Sequence, residues 1–290
     1  MKPPPLSWRA GLLYGSLRLA GRLPLRLLHA GGALLGRLLW LAHGRARRTV
    51  ERNLSIAVTQ PGTEKRHALA LEALAETGKA AAEVALVWGR GPAAALGRLR
   101  EVRGEPLFEA ALARGNGLII AAPHLGCWEL LNYWLARRTP LAILYRPPRQ
   151  AWLEPMLVRA RGALPVEQVR AEGTGVRTLY KRLAAGGVVG ILPDQKPRAG
   201  EGVHAPFFGT PAATMVLLPR LARRTGASVL FAFAERLPRG AGYRLHFLPA
   251  PEAIADEDLD VACAALNRGV EDCVQLAFAQ YQWTYRRWSS

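Results

Sequence analysis

Residues 117–131 read GLIIAAPHLGCWELL. The run 118–122 is apolar throughout, Pro123 ends it, and apolar residues then recur at helical spacing through Leu130, Leu131 and Trp134. A short apolar run closed by proline and followed by that period reads as a strand, a turn and a helix of an α/β fold. His124 falls at the junction, just past the strand's carboxyl end, where open α/β sheets place their ligands. Glu129 falls in the first helical turn, and the spacing His-x-x-x-x-Glu lets the helix carry a carboxylate back toward the imidazole. An imidazole, with an ordinary pKa of about 6.5, takes a proton from a hydroxyl near neutral pH. A carboxylate on the other ring nitrogen fixes the tautomer and stabilises the imidazolium. The stretch holds no serine, so the hydroxyl must belong to a substrate. The competing reading is a histidine at a helix start, with Glu129 as an ordinary acid favoured by the helix dipole.

Two further apolar runs support the first reading. LAILY at 141–145 ends in Arg146-Pro147-Pro148, and VVGIL at 188–192 ends in Pro193-Asp194-Gln195-Lys196. Three strands thus deliver His124, Arg146 and Asp194 where each run stops, and convergent polar groups at one rim mark an active site. Arg146 there suits a phosphate or an oxyanion; the alternative is a surface arginine on nearby carbonyls. Asp194 otherwise reads as a turn residue bonding its own backbone.

Going outward, helices are expected over 64–88, 106–113, 175–185 and 256–280. Another is expected over 212–225, kinked at Pro219. A weaker strand is expected at 164–169, and paired strands at 229–234 and 243–248. Residues 197–210 read as a long Gly/Pro-rich loop, with His204 given no role. Its adjacent Phe207 and Phe208 are unfavourable in water unless they meet a lipid chain or membrane, or cap the core. The tail 282–288, QWTYRRW, mixes the residues of an interfacial segment. There are no internal repeats, and the dinucleotide and P-loop fingerprints are absent.

The 290 residues suffice for one large α/β domain. Thirty-nine Lys and Arg against 22 Asp and Glu give a net charge of +17. Such a chain seeks anionic partners: nucleic acid, acidic lipid or an acidic carrier protein. Nucleic acid is disfavoured, since zinc-finger spacing, RNP-like aromatics and a basic stripe interleaved with stacking rings are all missing. The three cysteines, Cys127, Cys263 and Cys273, suggest neither a disulfide framework nor a metal site, which fits a reducing compartment. Cys127 lies beside the His–Glu pair, but neither neighbour would activate it as a nucleophile.

Residues 1–43 are apolar but interrupted by Arg9, Arg18, Arg22, Arg26 and Arg37, so no window is clean enough for an ordinary transmembrane helix. They read as two amphipathic segments broken at Leu23-Pro24. Such helices lie at a headgroup boundary with arginines reaching phosphates; the alternatives are a docked soluble helix pair or one tilted span. The basic cluster GRARRTVER at 44–52 reads as a juxtamembrane segment on the cytoplasmic side. The only plausible boundary lies near residue 45, giving a membrane-associating segment at 1–45 and an α/β domain at 46–290.

The set HLGCWE (124–129), YRPP (145–148), PDQKP (193–197), GVHAPFFGTPAAT (202–214) and QYQWTYRR (280–287) resembles the late acyltransferases of lipid A biosynthesis, within the lysophospholipid acyltransferase superfamily. The resemblance runs in order through nearly the whole chain. It implies a mixed central sheet flanked by helices, like that of glycerolipid acyltransferases. It further implies a bacterial inner-membrane enzyme facing the cytoplasm, without a cofactor or metal. Such an enzyme would move an acyl group from acyl carrier protein to a hydroxyl of a phosphorylated glycolipid, the lipid A precursor. By match to the family's motif, His124 is the general base and Glu129 its partner, with Arg146, Asp194 and Gln195 at the site. Phe207, Phe208 and Gly209 would help form the acyl or lipid surface. Lys196 departs from the acidic or small polar residue expected after Asp-Gln, which leaves the particular acceptor open. The alternatives are an acyltransferase for another membrane lipid and a non-catalytic lipid-binding member of the fold.

Overall fold

The computed structural model describes residues 5–58, 62–148, 150–171 and 174–288. The elements run α1 (Trp8–Ala20), α2 (Leu25–Leu41), α3 (Arg45–Ala57), α4 (Thr63–Leu96), β1 (Leu99–Arg103), α5 (Glu105–Ala113), β2 (Leu118–Ala121), α6 (Trp128–Arg138) and β3 (Leu141–Tyr145). Next come α7 (Glu154–Arg161), β4 (Val166–Arg170), α8 (Gly175–Ala184), β5 (Val188–Ile191), β6 (Gly202–Phe207) and β7 (Thr210–Met215). The series closes with α9 (Leu217–Thr225), β8 (Ser228–Arg236), β9 (Tyr243–Pro249) and α10 (Leu259–Leu276).

Seven strands form one mixed sheet in the order β1-β9-β8-β2-β5-β3-β4. β2 pairs in parallel with both β5 and β8, β3 with both β5 and β4, and β9 runs antiparallel to β8. Every residue of β2 and β5 is buried, as continuous apolar runs must be when helices cover both faces. One face packs against α2, α4, α5 and α6 through residues such as Leu28, Leu86, Phe108 and Leu131. The other packs against α8, α9 and α10 through Leu179, Leu183, Leu221 and Leu266. The mixed α/β sheet anticipated from the sequence is therefore present.

The two N-terminal helices break at Leu23-Pro24 as expected and dock on α4. Gly36 and Gly78 allow the docking: a Cβ on Gly36 would lie 2.2 Å from the Leu74 carbonyl oxygen, and one on Gly78 1.9 Å from that of Gly32. Backbone thus meets backbone between α2 and α4, the contact that small residues one turn apart permit. The outer faces carry Trp8, Leu12, Leu19, Leu27, Leu38 and Leu41, all exposed. Among the described residues no helix is long and apolar enough to cross a membrane.

Four expectations need correction. The stretch 202–215 is a hairpin, not a loop running into a helix: β6 pairs with β7, and Phe208 (φ 48°) and Gly209 (φ 73°) form its two-residue turn. Positive φ at both central positions marks a turn that suits hairpin twist. Pro219 sits in the first turn of α9, where no amide is needed, so the kink disappears. The expected helix over 256–280 is shorter, with 3₁₀ turns at Glu252–Ala255 before α10 and Phe278–Gln280 after it. The tail is core rather than interface, because Trp283, Arg287 and Trp288 are among the most buried large side chains. Strand β1, which the sequence reading omitted, forms the sheet edge beside β9.

Candidate active site

β2 delivers His124. The Ala122 N–H extends the ladder to the Ile191 carbonyl, and Pro123 then ends it. The loop that follows is held from both sides. Cys127 N–H donates to the Ala234 carbonyl at 2.8 Å, and Gly126 N–H to that of Gln280 at 3.2 Å. Leu125 bridges Tyr281, and Gln282 N–H donates to the His124 carbonyl at 3.0 Å. Asn53 anchors this C-terminal strap by donating to the carbonyls of Trp283 (2.8 Å) and Tyr285 (2.7 Å).

β5 delivers Asp194 beside it. The His124 backbone N–H donates to Asp194 Oδ2 at 3.0 Å, and His124 Nδ1 lies 2.8 Å from Oδ1. One carboxylate therefore orients both the loop and the ring. With the proton on Nδ1, the Nε2 lone pair is free to accept, and the Gln195 side-chain amide lies 3.2 Å from it. Gln195 also donates to Gln282 Oε1 at 3.4 Å. Asp194 is 3% exposed. Burial alone would raise its pKa, but the charge and hydrogen bonds of His124 outweigh that and hold it below the ordinary carboxylate value.

Glu129 does not bond His124. It lies in the first turn of α6 and takes a forked ion pair from Arg161 at the end of α7, with Nε 3.1 Å from each carboxylate oxygen and Nη2 donating as well. Burial disfavours a charged guanidinium, yet Glu129 overcomes this and raises the Arg161 pKa. The expected His–Glu contact is thus replaced by two pairs, His124–Asp194 and Glu129–Arg161.

A cavity of about 620 Å³ joins these groups. His124, Gln195, Arg146 and Arg161 line it with Ile143, Leu157, Val176, Tyr180 and Leu217, among others. The arrangement offers a base, a fixed cation and an apolar wall in one space. Arg146 is exposed at the end of β3. Phe207 and Phe208 do not line the cavity. Phe207 is buried against Trp288, and Phe208 packs on Trp283 with its N–H 2.6 Å from Glu271 Oε1. Gly209 is exposed at the hairpin turn. The double phenylalanine therefore caps the core, the alternative raised from sequence. Cys127 is buried, and burial first and the Glu83 charge second push its thiol pKa well up, against a nucleophilic role.

The model for bacterial lipid A biosynthesis acyltransferases matches residues 5–290. The chain belongs to that family. The lipid A biosynthesis lauroyltransferase of Escherichia coli K12 is 27% identical over 99% of this acyltransferase and 93% of its own length. The palmitoleoyltransferase of the same strain is 25% identical over 99% and 92%. A phosphatidylinositol mannoside acyltransferase of Mycobacterium tuberculosis is 30% identical over 58% of this chain and 54% of its own.

The site of this acyltransferase includes groups that sequence reasoning missed. Arg161 ends α7, where no helix was expected, and its pairing with Glu129, 32 residues away, leaves no local signal. Gln282 and Asn53 act across more than two hundred residues or bond through backbone carbonyls, which no spacing reveals. Gly126, in the loop between His124 and α6, is a further such group. It holds φ +60°, and a Cβ there would lie 1.9 Å from the Ala234 carbonyl oxygen. Gly126→Ala is expected to destabilise the fold by about 1–3 kcal/mol and to reduce acyl transfer further by displacing His124; thermal melts beside initial rates check this.

Proposed function

We propose that this acyltransferase moves a fatty acyl group from acyl carrier protein thioester to a hydroxyl of a phosphorylated lipid A precursor, at the cytoplasmic face of the bacterial inner membrane. The observation that carries the reading is His124, oriented by Asp194, with Nε2 turned toward a cavity that is partly apolar.

In the proposed reaction the acceptor hydroxyl replaces the Gln195 amide at Nε2 and gives its proton to that nitrogen. Its oxygen bonds to the thioester carbonyl carbon. Arg161, held in place by Glu129, stabilises the oxyanion. The carbon–sulfur bond then breaks, the ester remains on the acceptor, and the imidazolium returns its proton to the thiolate. The thioester is already activated, so no covalent enzyme intermediate is needed. Lys196, whose pKa is lowered by burial and by Arg286, Arg287 and Arg52, belongs to a cationic side suited to acceptor phosphates. The segment 1–45 would lie on the membrane through the exposed leucines of α1 and α2. A second reading, another membrane glycolipid as acceptor, draws on the likeness to the mannoside acyltransferase.

Purified chain, offered a panel of acyl-carrier thioesters and a tetraacylated, Kdo-bearing precursor, tests the function. Transfer supports it and reports chain length. No transfer with any chain length moves the acceptor to another lipid, and retained lipid binding without turnover on any acceptor points to a non-catalytic member of the fold. Glu129→Gln is expected to cut kcat by about 10²-fold with little change in acceptor KM, because it frees Arg161 without touching the base.

A further inference from the structure

α8 and α9 lie side by side, packed on the sheet through Leu179, Leu183 and Leu221. Neither helix contains an acidic residue, whereas α8 carries Arg177, Lys181 and Arg182 and α9 carries Arg220, Arg223 and Arg224. Burying Leu218, Leu221 and Ala222 forces the three α9 arginines outward, and all three are exposed. Arg182 pairs with Glu167 and Arg223 with Glu257. Among the described residues the side chains of Arg220 and Arg224 take part in no hydrogen bond or ion pair. These two stand one helical turn apart and line both the catalytic cavity and an adjoining hollow of about 530 Å³. That hollow also holds Asp256 and Glu257, and the cavity Glu201.

We infer that the α8–α9 face is where the acidic acyl carrier docks, with Arg220 and Arg224 gripping the phosphodiester of its prosthetic arm at the cavity mouth. This rests on the reading that the donor is acyl carrier protein. Three features select a water-soluble acidic partner over the phosphates of the lipid acceptor. The face is built on two helices that carry six basic residues and no acidic one. It lacks exposed large apolar side chains of its own. And the proposed reaction already gives the acceptor's phosphates a different side, around Lys196 and Arg52. Complementary charge at such a face chiefly raises the association rate and fixes the docking register. A thioester at the end of a flexible arm then enters beside Val176, Tyr180 and Leu217 and reaches the cavity that His124 lines.

The test compares Arg220→Glu/Arg224→Glu with the full chain and with Arg114→Glu/Arg137→Glu, a reversal of equal charge on exposed positions elsewhere. Carrier binding is followed by fluorescence anisotropy of labelled acyl carrier protein, and donor and acceptor kinetics are read separately. The α9 variant is expected to lose carrier affinity and kcat/KM for the carrier-borne donor by about tenfold or more. Its acceptor KM should hold, and the control should match wild type. Wild-type affinity should fall as salt rises. Carrier affinity retained in the α9 variant, with acceptor KM raised instead, overturns the docking face and gives these arginines to the lipid's phosphates. An equal loss in the control overturns it in favour of diffuse charge. Wild-type chain that transfers acyl groups from coenzyme A thioesters and never binds the carrier removes the donor reading beneath it. Circular dichroism of both variants shows whether the fold is intact, and binding by a refolded single variant, Arg224→Gln, decides the case if the double variant is unfolded.

Discussion

Replacing His124 with alanine is expected to lower kcat by about 10²–10⁴-fold, the range a positioned general base contributes, while the melting temperature moves by only a few degrees. The ring is 14% exposed and its main partner is a single carboxylate, so little packing is lost. Asp194→Asn should cost nearly as much. An amide at that position can donate toward Nδ1 as well as accept, which permits the tautomer with the proton on Nε2, where no hydroxyl proton can be taken. The same substitution alters the bond to the His124 backbone N–H, so the loop as well as the ring is loosened. Steady-state rates at saturating acceptor, beside melts of each variant, check both outcomes. If His124→Ala keeps more than a tenth of the wild-type rate, the base lies elsewhere. The pH dependence has a defined sign for the carboxylate. Its pKa is depressed in the fold, so its contribution to stability is present above the ordinary value of 3.8 and is lost only as pH falls through the lower, folded value.

The second large effect is expected from residues that do not line the cavity. Arg236 ends β8 and is completely enclosed, with Nε and Nη2 each 2.8 Å from an oxygen of Glu83 and Nη1 2.7 Å from Glu76 Oε2. Glu83 also receives Tyr243 Oη–H at 2.8 Å and faces His29 Nε2 at 2.7 Å. Arg236→Met removes the cation shared by two acids and leaves Glu83 with His29 and Glu76 with Lys79 as remaining partners, a change that costs about 3–5 kcal/mol when the pair is buried. Gln280 brackets the Arg236 backbone, donating to its carbonyl and accepting from its N–H, each at 2.8 Å. The same change should therefore slacken the strap over His124 and lower the rate. Urea melts of Arg236→Met against wild type measure the first effect. Acid titration measures the second partner. Burial would raise the Glu83 pKa, but Arg236 and His29 pull it from 4.5 to about 2. Stability on the order of 3 kcal/mol is thus present above about pH 4.5 and lost as pH falls toward 2, and Glu83→Gln should abolish that slope.

The features that were legible in the sequence were those carried by continuous apolar runs. LIIA, LAILY and VVGI each became a strand, and in the sheet order β2-β5-β3 they are neighbours, so His124, Asp194 and Arg146 do share one rim. The break at Leu23-Pro24 was legible because a proline cannot continue a helix's hydrogen bonds. What failed was pairing. Spacing alone made Glu129 the partner of His124, but strand adjacency places Asp194, 70 residues further on, against the ring. Nothing local says that β5 and not β3 lies next to β2. The hairpin at 202–215 was hidden by its two prolines and by a Phe-Gly turn in place of the usual Asn-Gly. The tail misled for a related reason: Trp, Tyr and Arg suit a lipid boundary and a protein core equally, and only the position of Phe207 and Asn267 shows that Trp288 and Arg287 are enclosed.

The C-terminal strap also sets an order of events in time. During synthesis the strand before His124 and the helix after it leave the ribosome early, since chains emerge from their N-terminal side. The ring must wait for Asp194, the loop for Ala234, and Asn53 for carbonyls 230 and 232 residues downstream. Contacts of such separation close slowly. The loop that presents the proposed base is consequently completed late, and a chain stalled before Gln280 carries the histidine without the strap that holds its loop.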